Sequence, residues 1–149
     1  MAKMGGSASA EIDAPLDEVW AVVEDVVTAP DWQGGLVSVT PIETDDQGRP
    51  TLVESENDIK VRTVKTKVRF AYDGPTRLSW KQEKGDLKSV EGSWQLEDLG
   101  DGRTRATYTL DSDPGRVLGM MLRGPVESAV RGMLVNSRPD ELKARVEGG

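Results

Sequence analysis

Residues Phe70 to Leu110 read FAYDGPTRLSWKQEKGDLKSVEGSWQLEDLGDGRTRATYTL, and this stretch decides the fold. Three turn signals divide it: Asp73-Gly74-Pro75, Lys84-Gly85-Asp86 and Gly100-Asp101-Gly102. Between them apolar and polar residues alternate with the period of two that marks half-buried strands. Pairing across the first turn sets Phe70 against Trp80 and Tyr72 against Leu78. Pairing across the second sets Trp80 against Val90. Pairing across the third sets Trp94 against Tyr108, Leu96 against Ala106 and Glu97 against Arg105. The aromatics Phe70, Tyr72, Trp80, Trp94 and Tyr108 then share one face, while Lys81, Glu83, Glu91, Arg103 and Arg105 lie on the other. This is an antiparallel meander with one apolar side and one wet side.

Upstream, the pattern continues back to Leu36 through a turn at Asp45-Asp46-Gln47-Gly48. A further turn near Lys60 to Thr63 carries no Gly or Pro and follows from pairing alone. If Asn57 faces Thr66, then Ser55 faces Val68 and Val53 faces Phe70. The same register sets Glu54, Glu56 and Asp58 against Arg69, Lys67 and Lys65, three opposite-charge pairs on one face. One long strand with chance alternation is the alternative.

Before these strands, Ser7 to Asp13 alternates as a short strand. Pro15 opens a helix with Asp17 and Glu18 in its first turn and an apolar stripe of Leu16, Val19, Trp20, Val23 and Val26. Ala29 to Trp32 reads as a second short helix, stopped by Gly34-Gly35. After Asp113-Pro114-Gly115 the period becomes helical, with Leu118, Met121, Leu122, Val126, Ala129, Val130, Met133 and Leu134 as the stripe. Pro125 cannot donate to the preceding turn, so a short helix, a break and a longer helix from Pro125 are expected. Asn136 to Pro139 is a second weak point, and Pro139 to Val146 reads as a possible separate final helix.

The fold class is therefore α+β: a curved antiparallel sheet of about seven strands around a long C-terminal helix, with two short helices after the first strand. The 149 residues suit one domain, 1–149, with nothing left over for a second. A sheet closing around one helix leaves a space between them, where ligands often bind.

Composition narrows the chemistry. There is no cysteine and no histidine, which removes thiol nucleophiles, disulfides, Ser-His pairs and the common zinc ligands. No metal or cofactor is expected. The net charge of -7 opposes nucleic-acid binding. No apolar run reaches the roughly 18 residues of a membrane span. Met1 to Gly6 lacks the apolar core of a signal peptide, so a cytoplasmic location is expected.

The chain resembles the START-like superfamily of polyketide cyclases/dehydrases and lipid-transport proteins, the helix-grip or SRPBCC fold. The resemblance rests on Ile12-Asp13-Ala14-Pro15 with Glu18-Val19-Trp20, on Pro30-Asp31-Trp32, and on Leu78-Ser79-Trp80 followed by Gly85 to Trp94. It covers nearly the whole chain and looks like the branch related to coenzyme Q-binding proteins. It implies a cavity for a hydrophobic ligand and leaves the activity open, because the fold hosts carriers, cyclases and regulators.

Candidate ligand-binding residues follow from the inward face. From the strands these are Val53, Ser55, Asn57, Val68, Phe70, Tyr72, Trp80, Gln82, Val90, Trp94 and Tyr108. From the helical segment they are Leu118, Met121, Leu122, Val126 and Met133. The aromatics either fill the core or form cavity wall, for which a large apolar body with a polar tip is suited. Ser55, Asn57, Thr66, Gln82 and Lys88 on that face would be costly in a sealed core and acceptable beside a ligand or at strand ends. Gly92 marks a bulge, or room for the helix or a ligand. Met120, Met121 and Met133 are helix core or an adaptable wall. Gly119 and Gly124 either hinge a lid or simply break the helix.

Three functions compete. The first is a non-catalytic binder or carrier of a lipid, quinone or polyketide, with the mouth between the Gly124-Pro125 break and the Asn57 to Thr66 loop, near Trp32. The second is a polyketide cyclase, aromatase or dehydratase. Without histidine its acid/base work falls to Tyr72, Tyr108, Lys88, a Gln82-bound water or a carboxylate, so no catalytic residue is assigned and enzymatic activity is disfavoured. The third is a regulatory domain with a filled cavity and an exposed apolar patch.

Overall fold

Seven strands form a single antiparallel sheet in a computed structural model that describes residues 4–148. Met1 to Lys3, part of the segment read above for leader character, lie outside the described residues. The strands are β1 Met4–Ile12, β2 Leu36–Thr44, β3 Pro50–Asp58, β4 Thr63–Asp73, β5 Arg77–Gly85, β6 Ser89–Gly100 and β7 Arg103–Asp113. Their spatial order is β1-β7-β6-β5-β4-β3-β2, a meander whose first strand returns to pair with the last. On the wet face of that closing pair, Ser7 and Ser9 hydroxyls meet those of Thr109 and Thr107 at 3.1 and 2.8 Å.

Helix α1 (Leu16–Glu24) starts after Pro15 and buries Val19 and Val23. Its acidic first turn complements the helix dipole. A 3-10 turn, Val26–Asp31, follows, and buries Val26 and Ala29. The C-terminal segment comprises α2 (Gly115–Met121), α3 (Pro125–Arg131), a π-helical turn Gly132–Asn136 and α4 (Arg138–Glu147). The long helix is thus broken before Pro125, where Gly124 takes a positive φ of 60°, and then runs on with a π-helical turn in its middle. That turn lies just ahead of Pro139, which has no N–H to donate to the regular i→i−4 ladder. Within the turn the Ser137 N–H reaches back five residues to Gly132 O at 3.0 Å, and α4 begins at Arg138, one residue before the expected start.

The sheet faces match the alternation, and two registers differ from expectation. Across β3 and β4, Ser55 faces Thr66, Val53 faces Val68 and Asn57 faces Val64, a slip of two residues. The cause is a tighter turn over residues 59–62. Asp58 Oδ1 accepts the Lys60 N–H at 2.8 Å, and Lys60 takes a φ of 73° without a glycine. A slip of two preserves which face each side chain occupies. Glu54 and Glu56 still meet lysines, Lys67 and Lys65, but Asp58 meets Thr63 and Arg69 faces Leu52. Arg69 is paired instead with Glu83 and Glu43.

Trp80 faces Gly92 rather than Val90. Pairing runs through Gly92 on both sides without a shift, so the expected bulge is absent there. The indole of Trp80 lies on the Gly92 backbone, where an added Cβ would stand 2.4 Å from the ring. Glycine is required for this close approach, not for a bend.

Candidate functional site

A partly enclosed cavity lies between the apolar face of the sheet, the 3-10 turn and the C-terminal segment. Its volume is about 140 Å³. Each strand contributes to the wall, together with α1, Leu122, Leu134 and Arg138. The wall is mainly apolar and its aromatic part is continuous. Ring centroids are 6.0 Å apart for Phe70 and Trp80, 5.6 Å for Trp80 and Tyr108, and 4.8 Å for Trp94 and Tyr108, the last edge-to-face. Trp32 extends the series behind the wall at 6.2 Å from Trp94.

Of the residues singled out from sequence, Val53, Ser55, Asn57, Val68, Phe70, Trp80, Val90, Trp94, Tyr108 and Leu122 border this cavity. Six do not. Tyr72 shares the face but sits past the end of the space. Its hydroxyl donates to Pro50 O at 2.5 Å, and the Arg49 guanidinium stacks 4.5 Å from its ring. Gln82 donates to Leu87 O at 2.9 Å and lies along a shallow groove on the sheet. Leu118 is buried in the core, Met133 is half-buried against it, and Met121 and Val126 are exposed. The expected stripe assumed one helical phase from Leu118 to Leu134, and the break before Pro125 resets that phase. Lys88, at a strand end, is exposed beside Asp113 at 3.9 Å.

Ser55 and Thr66, both buried, satisfy each other through a 3.0 Å hydroxyl contact. The polar centre of the cavity lies elsewhere, at Arg138, which is 2% exposed. Its Nη1 donates to Gly34 O at 2.7 Å and to Glu141 Oε1 at 2.9 Å. Glu141 Oε2 in turn accepts the Gly34 N–H at 2.8 Å. Helix α4 thus holds both backbone groups of Gly34. The guanidinium lies 6.0 Å from the Tyr108 ring. Burial pushes the Tyr108 phenol above its ordinary pKa, and the charge and hydrogen bonding of Arg138 pull it part of the way back. Burial likewise raises Tyr72, to about 12, against the pull of Arg49.

Arg138 was not among the residues picked from sequence. Its signal was there: it stands midway between the buried Leu134 and Leu142 at helical spacing, with an acid three residues on. Proline at 139 and the expected helix start there masked it.

Among the described residues, no cluster of Asp and Glu is arranged to hold a metal, and no helix is long and apolar enough to cross a membrane.

Solved structures of similar fold cover nearly the whole chain. A START superfamily protein from Mycobacterium smegmatis superposes with a TM-score of 0.81 at 19% identity, covering 97% of each chain. A protein from Thermus thermophilus gives 0.79 at 18% identity, covering 99% of this chain and 98% of its own. The Zhui aromatase/cyclase from Streptomyces sp. R1128 gives 0.66 at 20% identity, covering 99% of this chain and 84% of its own. No curated protein sequence matches the chain. The family model described as polyketide cyclase / dehydrase and lipid transport matches residues 12–137. With the helix-grip architecture in place beneath that match, the chain belongs to the polyketide cyclase/dehydrase and lipid transport family, the START-like proteins.

Proposed function

We propose that the protein binds and carries a hydrophobic small molecule, a quinone, lipid or polyketide, in the cavity between the sheet and the C-terminal segment. The observation that carries this reading is the make-up of the wall: a continuous aromatic and aliphatic surface interrupted by few polar groups. Among the described residues that border the cavity, the titratable ones are Tyr108 and Arg138. A phenol whose pKa burial raises is a weak general base near neutrality, and a guanidinium stays protonated, so the wall suits holding better than proton transfer. The ten bordering residues predicted from sequence are the proposed contacts. The mouth is proposed between Leu122 and the turn at Ile59, which both border the space.

Thermal melts with added quinones, fatty acids and aromatic polyketides test the reading, together with mass spectrometry of small molecules that co-purify. A ligand at a hundredfold excess over its Kd stabilises by about 2.7 kcal/mol, which shifts Tm by roughly 5–10 °C at this chain length. No shift with any class and no bound species would contradict it.

A second reading, a polyketide cyclase or dehydratase, draws on the family description and on Tyr108, where a guanidinium and a phenol could together hold an enolate. Incubation with a reactive polyketide mimic separates the two. Cyclised product from the wild type but not from Tyr108→Phe would favour the enzyme, and product equal to the buffer control would favour the carrier.

A further inference from the structure

Arg138 carries an unused donor. Its Nε is buried and has no hydrogen-bond partner among the described residues, although Nη1 has two strong ones. An unpaired donor on a buried charged group is costly, and it is tolerated where a bound atom completes it. Tyr108, buried on the cavity wall beside the guanidinium, supplies a second polar group at the same end. The bordering residues there include no other cation.

The charge state of this corner limits what can bind. Glu141 Oε1 stands 2.9 Å from Arg138 Nη1, so the positive charge already has its counter-ion. A ligand carboxylate would leave a net negative charge in a largely dehydrated space, where a buried charge without its own partner is strongly penalised. A neutral acceptor adds a hydrogen bond and no charge.

We propose that Arg138 and Tyr108 form a subsite for a neutral carbonyl oxygen, of the ketone, quinone or ester kind, at one end of an otherwise apolar ligand, and that Glu141 sets this preference by excluding carboxylates. This rests on the cavity being a ligand site. It narrows the ligand to an oxygenated ring or chain and removes free fatty acids. The cavity volume of about 140 Å³ holds about one ring, and because the space is only partly enclosed a fused second ring extends toward the mouth. That is the scale of an apolar cavity known to admit a benzene ring, at roughly 150 Å³.

Three probes of similar shape test it: α-tetralone with one ketone, tetralin with no oxygen, and α-naphthoate with a carboxylate. Binding is measured by titration calorimetry and tryptophan fluorescence. The expected result is that the wild type takes α-tetralone about tenfold more tightly than tetralin, the size of one hydrogen bond to a charged donor, and prefers it to α-naphthoate. Tyr108→Phe and Arg138→Gln should each shrink the advantage of the ketone over tetralin. Glu141→Gln should raise α-naphthoate affinity about tenfold relative to α-tetralone, a reversal that loss of structural support alone would not produce. If Arg138→Gln fails to fold, the wild-type series and the other two variants still decide. Equal affinity for ketone and hydrocarbon, or an unchanged preference in Glu141→Gln, overturns the subsite while leaving the cavity as a binding site. No binding of any probe overturns both.

Discussion

At the scale of single residues, two close fits carry stability. Trp80 lies on the backbone of Gly92, with no room for a Cβ. Gly92→Val should force the indole out of its place and cost about 1–3 kcal/mol, measured by denaturant unfolding. Gly48, at a turn with open space around its Cβ direction, gives the contrast: Gly48→Asn should cost much less, since asparagine accepts a positive φ. Ser55 and Thr66 are each other's partner. Ser55→Ala should cost about 1–2 kcal/mol by leaving the Thr66 hydroxyl alone, whereas replacing both by valine should cost less than that. Each pair also shows what alternation could reveal. The period of two placed Trp80, Gly92, Ser55 and Thr66 on one face, but the partners depended on turn length, which Gly85 marked without fixing in one hairpin and no Gly or Pro marked in the other.

The two tyrosines extend this to pH. Both phenols have folded pKa values raised above the ordinary 10.0 by burial. The folded state therefore holds these protons more tightly than the unfolded chain does. That contribution is complete below about pH 10 and is lost as pH rises through the folded values, about 12 for Tyr72. Melting temperature should fall from about pH 10 upward, and the Tyr72→Phe/Tyr108→Phe protein should fall less steeply. Tyrosinate absorbance gives the direct check, because the chain has 2 tyrosines: ionisation should appear together with unfolding, not before it. Ionisation near the ordinary pKa in the folded protein would contradict this assignment.

Among the elements, the C-terminal segment differs most from a simple helix. α2 buries Leu118, while Val117, Met120 and Met121 stand exposed. α4, by contrast, buries Arg138, Pro139 and Leu142 and ties down Gly34. Local opening follows buried contact, so hydrogen exchange should be fastest in residues 115–124 and slow in α4. A ligand in the cavity should slow exchange near Leu122 more than in β1. Uniform protection across the segment would contradict this order. The break at Gly124-Pro125 was legible because proline chemistry is local. The π-helical turn was not, because no residue type marks a five-residue backbone hydrogen bond, and the contacts of Arg138 and Glu141 with Gly34 join segments over a hundred residues apart in sequence.

For the whole molecule, the meander and its two faces followed from hairpin signals between Phe70 and Leu110, and from strand periodicity on either side. The return of β1 to β7 and the cavity between sheet and helix depend on tertiary closure, which periodicity alone does not encode. The absence of histidine and cysteine first excluded familiar catalytic pairs. The mainly apolar wall around the cavity, with one polar corner, is what the proposed binding of an apolar molecule adds to that composition.

The most direct test of this account locates the ligand. Methyl resonances of the isotopically labelled protein are followed by NMR as α-tetralone is added. The account predicts shifts at Val53, Val68, Leu122 and Leu134, which border the cavity, and none at the exposed Val37 and Ile42. Shifts at Val37, Ile42 or Val117 with the cavity methyls unmoved would place the ligand on the surface and contradict the account.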